Sequence, residues 1–400
     1  MTEYAGKKIL IIVENLPIPF DTRVWQEANT LTEAGYKVSI ICPTGKGFEK
    51  KYEVLNGISI YRHDLPKDGS GSISYIAEYS AALFWEFVIA LKILFKEGFD
   101  VIQACNPPDN IFLIGAFFKL FGKKFVFDHH DINPELYIAK FNKKDFFYNL
   151  LIIFERLTFF FADISLATNE SYKEIAIKRG KMNPEKVFIV RSGPKLERMK
   201  IQAPNENIKR GKKYMVGYVG VIGKQEGLDY LIDAAKYIRD EKGRDDIFYG
   251  IVGAGPYLDE VKAKCVSLGL DDIVEFTGRV SDEIMLDYLN TSDVCVNSDE
   301  YNEMNDKSTM NKIMEYMSLG KPIVQFDLKE GKNSAKEASL YANNNDFIDM
   351  AEKIIYLINN DEIRQKMGFY GRERIENELK WDKTKLALLD AYHYLFKTNK

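Results

Sequence analysis

Two stretches of this 400-residue chain combine residue types that can do chemistry. The first is Asp128-His129-His130-Asp131-Ile132-Asn133-Pro134-Glu135, which gathers two of the four histidines and three carboxylates. Histidine titrates near neutrality, so the cluster suits general acid–base work or the positioning of a hydroxyl group. Adjacent histidines on a turn point apart, which argues against a shared metal; a polar turn with capping carboxylates is the plainer alternative. The second stretch is 305–324. It reads as a loop, a helix over 309–319, a glycine stop and a buried strand. Ser308 or Thr309 is placed to cap the first turn. Met310, Ile313, Met314 and Met317 recur at helical spacing and face a core, while Asn311 and Glu315 share the opposite face. Gly320 suits the left-handed stop, with Pro322 just beyond it. Lys307, the two hydroxyls and the unpaired N–H groups of a helix start are what a phosphate needs. Glu315 lies roughly 9–12 Å further along by helix rise, about the length of a nucleotide-sugar fragment. Taken in isolation, the segment is also an ordinary amphipathic surface helix.

These residues need strand ends to hold them. Short β-branched runs alternate with helical patterns along nearly the whole chain, at 8–13, 37–42, 58–62, 101–105, 125–127, 163–167 and 187–191, then at 214–219, 248–252, 273–276, 294–297, 322–326 and 339–341. That alternation predicts an α/β fold of two doubly wound, Rossmann-like domains with parallel sheets. The domains are expected at 1–195 and 213–380, with a polar linker at 196–212 and a last helix at 381–400. Ligands bind such sheets outside the carboxyl ends of the strands. Several unusual segments follow strands directly: the 14–25 stretch with Asp21 as a helix cap, Asn106-Pro107-Pro108-Asp109, the glycine-rich 217–227, Val252-Gly253-Ala254-Gly255-Pro256, and Thr277-Gly278-Arg279-Val280.

Several function classes drop out. The turn after the first strand lacks Gly-x-Gly-x-x-Gly, and the second strand ends in Cys42-Pro43 without a ribose-binding acid, so an NAD enzyme is set aside. No Walker loop or Gly-x-Ser-x-Gly elbow occurs. No Asp-x-Asp occurs either, which removes a common carboxylate pair for a divalent metal. Cys42, Cys105, Cys265 and Cys295 lack zinc-site spacing and read as buried free thiols. The net charge of −4 gives no reason to expect nucleic-acid binding. No uninterrupted apolar run reaches about 18 residues, so a membrane span is not expected. The stretch 143–161, which opens with Lys143-Lys144 and is dense in phenylalanine, is either a core helix or a membrane-surface helix.

Order and spacing together then carry a resemblance. Pro19…Arg23-Val24…Glu27-Ala28…Leu31…Gly35-Tyr36-Lys37-Val38, His130-Asp131…Pro134-Glu135, Gly217-Tyr218-Val219-Gly220…Gly227, Val274-Glu275-Phe276-Thr277-Gly278-Arg279-Val280 and Glu315-Tyr316-Met317-Ser318-Leu319-Gly320-Lys321-Pro322-Ile323-Val324 resemble the retaining glycosyltransferases of family 4, which have the GT-B fold. The resemblance implies two Rossmann-like domains facing a cleft and a final helix crossing back to the first domain. It also implies metal-independent transfer of a hexosyl group, with no cofactor, from a nucleoside-diphosphate sugar such as a UDP-sugar to a glycan or lipid-linked acceptor in polysaccharide or cell-surface glycan synthesis. Separately from the resemblance, the residues themselves suit a cytoplasmic setting, with membrane-surface contact through 143–161 as the alternative to a core helix there. His130 takes the place of the histidine near the reacting centre, with Asp21, Arg23 and Asp131 on the acceptor side. Glu315 takes the place of the carboxylate that holds the donor ribose, and the base lies near Arg279. Two departures stand out. The family's second glutamate, eight positions before Glu315, is Lys307 here. Its diphosphate-gripping Arg and Lys correspond to Val221 and Glu226. The donor diphosphate is therefore expected on Gly220, Lys224, Lys307, Ser308 and Thr309. A nucleotide-sugar epimerase and a non-catalytic partner subunit share this architecture and remain as rivals.

Overall fold

The structure is a computed structural model that describes residues 3–65 and 72–397, with side chains from 80 onward in the second stretch. The choice of base, sugar, acceptor and linkage is expected to depend on loops such as 64–74 and 297–304, and most of the first of these lies outside the described residues. The chain divides into two compact units, Met1–Ser192 with Thr384–Lys400, and Gly193–Lys383.

The first unit is built from β1 (Lys8–Ile12), α1 (Thr22–Glu33), β2 (Lys37–Pro43), β3 (Tyr52–Leu55), β4 (Ile58–His63), α2 (Ser72–Lys96), β5 (Val101–Cys105), α3 (Phe112–Lys119), β6 (Lys124–His129), α4 (Asn133–Phe141), α5 (Phe146–Phe161), β7 (Ile164–Ala167), α6 (Glu170–Lys178) and β8 (Val187–Ile189). Its eight-stranded sheet runs β3-β4-β2-β1-β5-β6-β7-β8. Every pairing is parallel except β3 with β4. The strands are near-continuous apolar runs because helices cover both faces of a parallel sheet. β3 has no counterpart in the apolar-run reading. It is a short hairpin strand whose turn, Asn56-Gly57, takes left-handed φ at both residues, 50° and 78°, the geometry that matches strand twist.

The second unit contains β9 (Tyr214–Val219), α7 (Leu228–Asp240), β10 (Ile247–Val252), α8 (Leu258–Ser267), β11 (Val274–Gly278), α9 (Asp282–Thr291), β12 (Val294–Asn297), α10 (Glu303–Lys307), α11 (Asn311–Ser318), β13 (Ile323–Phe326), α12 (Lys329–Ala335), β14 (Ser339–Ala342), α13 (Phe347–Asn359) and α14 (Asp361–Arg374). The six strands are all parallel, in the order β11-β10-β9-β12-β13-β14. α7 shows how the sequence drives this. Leu228, Leu231, Ile232 and Ile238 recur at helical spacing and are buried, each side chain contributing about 1.5–3 kcal/mol of apolar burial. A final helix, α15 (Trp381–Lys397), returns the chain from Thr384 onward to the first unit. There the buried Tyr392 hydroxyl donates to Gln103 Oε1 at 2.6 Å.

Each sheet has one switch point, where successive connections run in opposite directions. In the first unit it lies between β1 and β5, and in the second between β9 and β12. Open α/β sheets hold ligands at the carboxyl ends of such strands.

Candidate active site

At the first switch point a buried polar network hangs on Arg23. Asp21 accepts from Val24 N at 3.0 Å and caps α1, which fixes where Arg23 starts its reach. The guanidinium donates from Nη2 to Asp128 Oδ1 (2.8 Å), from Nη1 to the Val190 carbonyl (2.6 Å) and to Ser192 Oγ (3.2 Å), and from Nε toward His130 Nε2 (3.0 Å). Glu27, one turn along α1, lies 3.1 Å from Nη2. Asp128 Oδ2 lies 2.9 Å from His130 Nε2 and accepts from Gln103 Nε2 at 3.0 Å. Asn106 braces the loop, its Oδ1 accepting from the backbone N of His130 and of Asp131 while its Nδ2 donates to Asp109 and to the Asp131 carbonyl. Arg23 of α1 thus meets His130 of the loop after β6, and the backbone of the neighbouring Asp131 is held by the same Asn106. His129 points elsewhere: it is buried among Phe127, Phe159 and Tyr172, with ring centroids about 5 Å away. Burial pushes its pKa down to about 3, so it stays neutral.

The charges around His130 decide what it offers. Burial alone would raise the Asp128 carboxyl, but Arg23 and His130 hold it well below the usual carboxylate range. Burial would lower His130, and the facing Asp128 carries it above its ordinary value instead. His130 Nε2 can satisfy only one neighbour at a time. As the imidazolium it donates to Asp128; as the neutral Nδ1–H tautomer it accepts from Arg23 Nε. In both states Nδ1 keeps its hydrogen. With the proton on Nε2, whether the ring is neutral or charged, it donates to Asp128 and the Arg23 Nε–H meets another N–H, leaving a buried donor unmet at a cost of about 1–3 kcal/mol. The facing Asp128 favours the imidazolium, and in that form the ring offers Nδ1–H as a donor. Cys105, Asp128 and His130 also bring three possible ligand atoms within 4.8 Å of one another. The Arg23 guanidinium, bonded to Asp128 and His130, places a fixed positive charge there, which a metal ion would have to oppose.

At the second switch point, β9 and β10 approach so closely that a Cβ on Gly253 would lie 1.8 Å from the Gly220 carbonyl oxygen. Gly253 (φ 141°) and Gly220 (φ 153°) both take conformations that favour glycine. α11 is tied beside them by the fully buried Tyr316, whose hydroxyl accepts from Val219 N (2.9 Å) and donates to the Val296 carbonyl (3.1 Å). One side chain thereby joins the helix to the ends of both switch-point strands. Ile313, Met314 and Met317 are buried as their spacing predicts, and Gly320 takes the left-handed stop (φ 65°).

The start of this helix differs from expectation. It begins at Asn311 with Met310 at the capping position, and the Met310 side chain makes no capping bond. Ser308 and Thr309 lie before that position. An extra helical turn, α10, is nucleated by Asn302, whose side chain accepts from Asn305 N. Ser308 ends that turn and donates to the Met304 carbonyl, and Lys307 pairs with Glu303 at 2.6 Å. The cation carried by α11 itself is Lys312, which the sequence reading did not single out. Its Nζ lies 2.9 Å from Asp299 and 3.3 Å from the Tyr218 hydroxyl, and its Cε would be 3.3 Å from a Cβ on Gly220. Burial would lower its pKa, but Asp299 and then Tyr218 raise it above the usual lysine range. Asp299 Oδ2 and Glu226 Oε2 have no hydrogen-bond partner among the described residues, and burial raises the Glu226 carboxyl above its ordinary value.

Glu315 is partly buried, and burial raises its pKa too. It accepts from Arg198 Nη1 at 3.4 Å, while Arg198 also clasps Asp282 with two bonds of 2.6 and 2.8 Å. Arg198 falls in the stretch read as linker, so its role was not legible. Lys224 and Arg279 are exposed, Lys224 in a 3₁₀ turn and Arg279 just after β11.

Residues 213–360 match the family described as Glycosyl transferases group 1, and residues 21–198 match Glycosyltransferase Family 4. The capsular polysaccharide biosynthesis glycosyltransferase CapM of Staphylococcus aureus is 26% identical over 254 residues, 59% of this chain and 62% of that protein. The alpha-D-kanosaminyltransferase of Streptomyces kanamyceticus is 27% identical over 38% of this chain and 39% of that protein. The chain thus spans less than two thirds of either relative's length. Among solved structures, sucrose-phosphate synthase from Thermosynechococcus elongatus matches with a TM-score of 0.77 at 17% identity, over 98% of this chain and 100% of that one. Anabaena HepE in complex with UDP and glucose matches with a TM-score of 0.71 at 14% identity, over 98% and 100% of the chains. Likeness at such identity concerns the fold.

Proposed function

The chain belongs to the group 1, family 4 glycosyltransferases, and from that premise we propose that it transfers a hexosyl group from a nucleoside-diphosphate sugar to a glycan or lipid-linked hydroxyl, with retention and without a metal. The anomeric C–O bond to the β-phosphate breaks, the acceptor oxygen bonds the same carbon on the same face, and the hydroxyl proton passes to the departing phosphate. The barrier lies in the charge that develops on the diphosphate, which fixed N–H groups and cations stabilise.

One observation carries the donor half: a helix start held by Tyr316 at the β9–β12 switch point, with the buried cation of Lys312 beneath Gly220. First-turn N–H groups with a cation beside them suit a diphosphate. In this reading Lys312 supplies the charge that Val221 and Glu226 lack, and Lys307, Ser308 and Thr309 line the approach, with Lys224 and Arg279 at the outer edge. Glu315 accepts from a sugar or ribose hydroxyl once Arg198 yields. On the acceptor side, His130 donates from Nδ1 to a substrate oxygen, and Asp21 and Asp131 flank it. CapM supports a polysaccharide acceptor and the UDP complex of HepE supports a UDP-sugar donor.

A thermal-shift panel of nucleoside diphosphates and their sugars tests this reading. Ligand at about a hundred times its dissociation constant adds roughly 2.7 kcal/mol of stability, so one member should stand clear of the rest. The two carboxylates around the single Lys312 cation favour a second reading, a non-catalytic partner subunit. Absence of a shift with every nucleotide would favour that reading and end the first.

A further inference from the structure

The first unit bears a face that donor and acceptor chemistry does not use. Its β1-to-β2 connection moves one way along the sheet, while β4-to-β5, β5-to-β6 and β6-to-β7 all move the other way. Because parallel crossovers are right-handed, α2, α3 and α5 lie together on one side of the sheet. Ring contacts join them: Phe87 on α2 sits 4.9 Å from Phe117 on α3, and Phe112 on α3 sits 6.0 Å from both Phe154 and Phe161 on α5.

The outer side of these helices is apolar. Phe95 is 86% exposed, Leu120 83%, Phe160 76% and Phe146 72%. The exposed charges in this span of the chain are mostly of one sign. Over residues 80–161, Lys92, Lys96, Lys140, Lys143, Lys144 and Arg156 are exposed, against a single exposed acid, Asp145. Asp145 is itself engaged in capping α5. A chain with a net charge of −4 thus carries a locally positive, aromatic-rich face.

We propose that this α2–α3–α5 face docks on an anionic lipid surface. Aromatic side chains enter the headgroup boundary while lysines and arginine meet the lipid charge, a pairing of area burial and electrostatics that lipid interfaces reward. The charge pattern also weighs against a second copy of this chain. A two-fold contact through this face would set the same cations opposite each other. The inference stands independently of the donor chemistry.

Sedimentation of the full chain with vesicles tests it. Vesicles containing a third anionic phospholipid should carry the protein down, whereas zwitterionic vesicles should do so far less. The variants Phe95→Ser/Phe160→Ser and Lys143→Ala/Lys144→Ala alter exposed side chains, and their circular dichroism and melting should match the parent. Each lysine near an anionic surface is worth about a fivefold change in partitioning, so the lysine pair should weaken binding roughly twentyfold, and the phenylalanine pair should weaken it at least as much. No binding to anionic vesicles overturns the proposal. So does undiminished binding by both variants, and so does a self-association in lipid-free buffer that the phenylalanine variant abolishes.

Discussion

Replacing Lys312 tests two claims at once, and a second substitution separates them. Lys312 and Asp299 are 10% and 1% exposed and form a 2.9 Å ion pair. Lys312→Met strands the Asp299 carboxylate, whose other oxygen already lacks a partner among the described residues. Stranding a buried charge costs about 3–5 kcal/mol. For a unit of this size each kcal/mol moves the midpoint by about 2–4 °C, so the melting temperature should fall by about 10 °C. Nucleotide binding should weaken as well, but a less stable protein could produce that loss indirectly. The double variant Lys312→Met/Asp299→Asn removes both charges and should recover most of the stability. In the proposed function it should not recover binding. One charge-assisted contact to the diphosphate is worth about 1.5–3 kcal/mol, a roughly 10- to 150-fold rise in the dissociation constant measured by calorimetry. If the double variant melts near the parent and binds the nucleoside diphosphate with parental affinity, Lys312 is a structural partner of Asp299 and the donor assignment falls.

Further predictions concern other buried groups. Tyr316→Phe leaves the Val219 N–H and Val296 carbonyl without their hydroxyl partner; urea unfolding should show a loss of about 1–3 kcal/mol, and an unchanged midpoint would mean that Tyr316 does not tie α11 to the strands. Glu86 is fully buried, has no partner for either oxygen among the described residues, and is pushed up to about 8 by burial. The folded state therefore holds a proton that the unfolded chain releases near its model value of 4.5, and stability falls as pH rises from about 5 to 8. Glu86→Leu should make that slope shallower, leaving the share of Glu27 and Glu155, which burial also raises to about 8, and the variant should gain on the parent by up to about 4 kcal/mol between pH 5 and pH 8, with a parallel pH dependence in both proteins counting against the assignment. Asp128→Asn removes the charge that raises His130, so NMR titration should find the His130 pKa lowered; a value equal to the parent's would show that Asp128 does not set it. In the proposed function, the raised Glu226 carboxyl predicts tighter nucleotide binding at lower pH, because its proton would remove a negative charge from the diphosphate site. Glu226→Gln should flatten that pH dependence, and persistence of the slope would assign it to another group.

Much of the scaffold was legible because parallel strands covered on both faces must be apolar runs, and the helices between them must carry a 3.6-residue stripe. Asp21 as a cap, Gly320 as a stop and the buried methionines of α11 follow from local chemistry alone. β3 carries a readable signal as well, the Asn56-Gly57 turn between apolar residues, although its own residues form no apolar run. The misplacement of the α11 start has a local cause. Asn302 followed by acidic Glu303 marks a helix start, and the short α10 it opens shifts Ser308 and Thr309 from the beginning of one helix to the end of another.

The sequence by itself determined the two α/β units, the strand ends at which open α/β sheets hold ligands, and the residue types gathered there, because periodicity, capping and turn preference act over a few positions. Only the tertiary structure decided which of those residues meet. Arg23 finds Asp128 and His130 from more than a hundred positions away, and Lys312 settles on Asp299 beneath Gly220. Arg198 reaches Glu315 from a stretch without periodicity. Ion pairs of this kind depend on where folding carries buried charges, which no local pattern records.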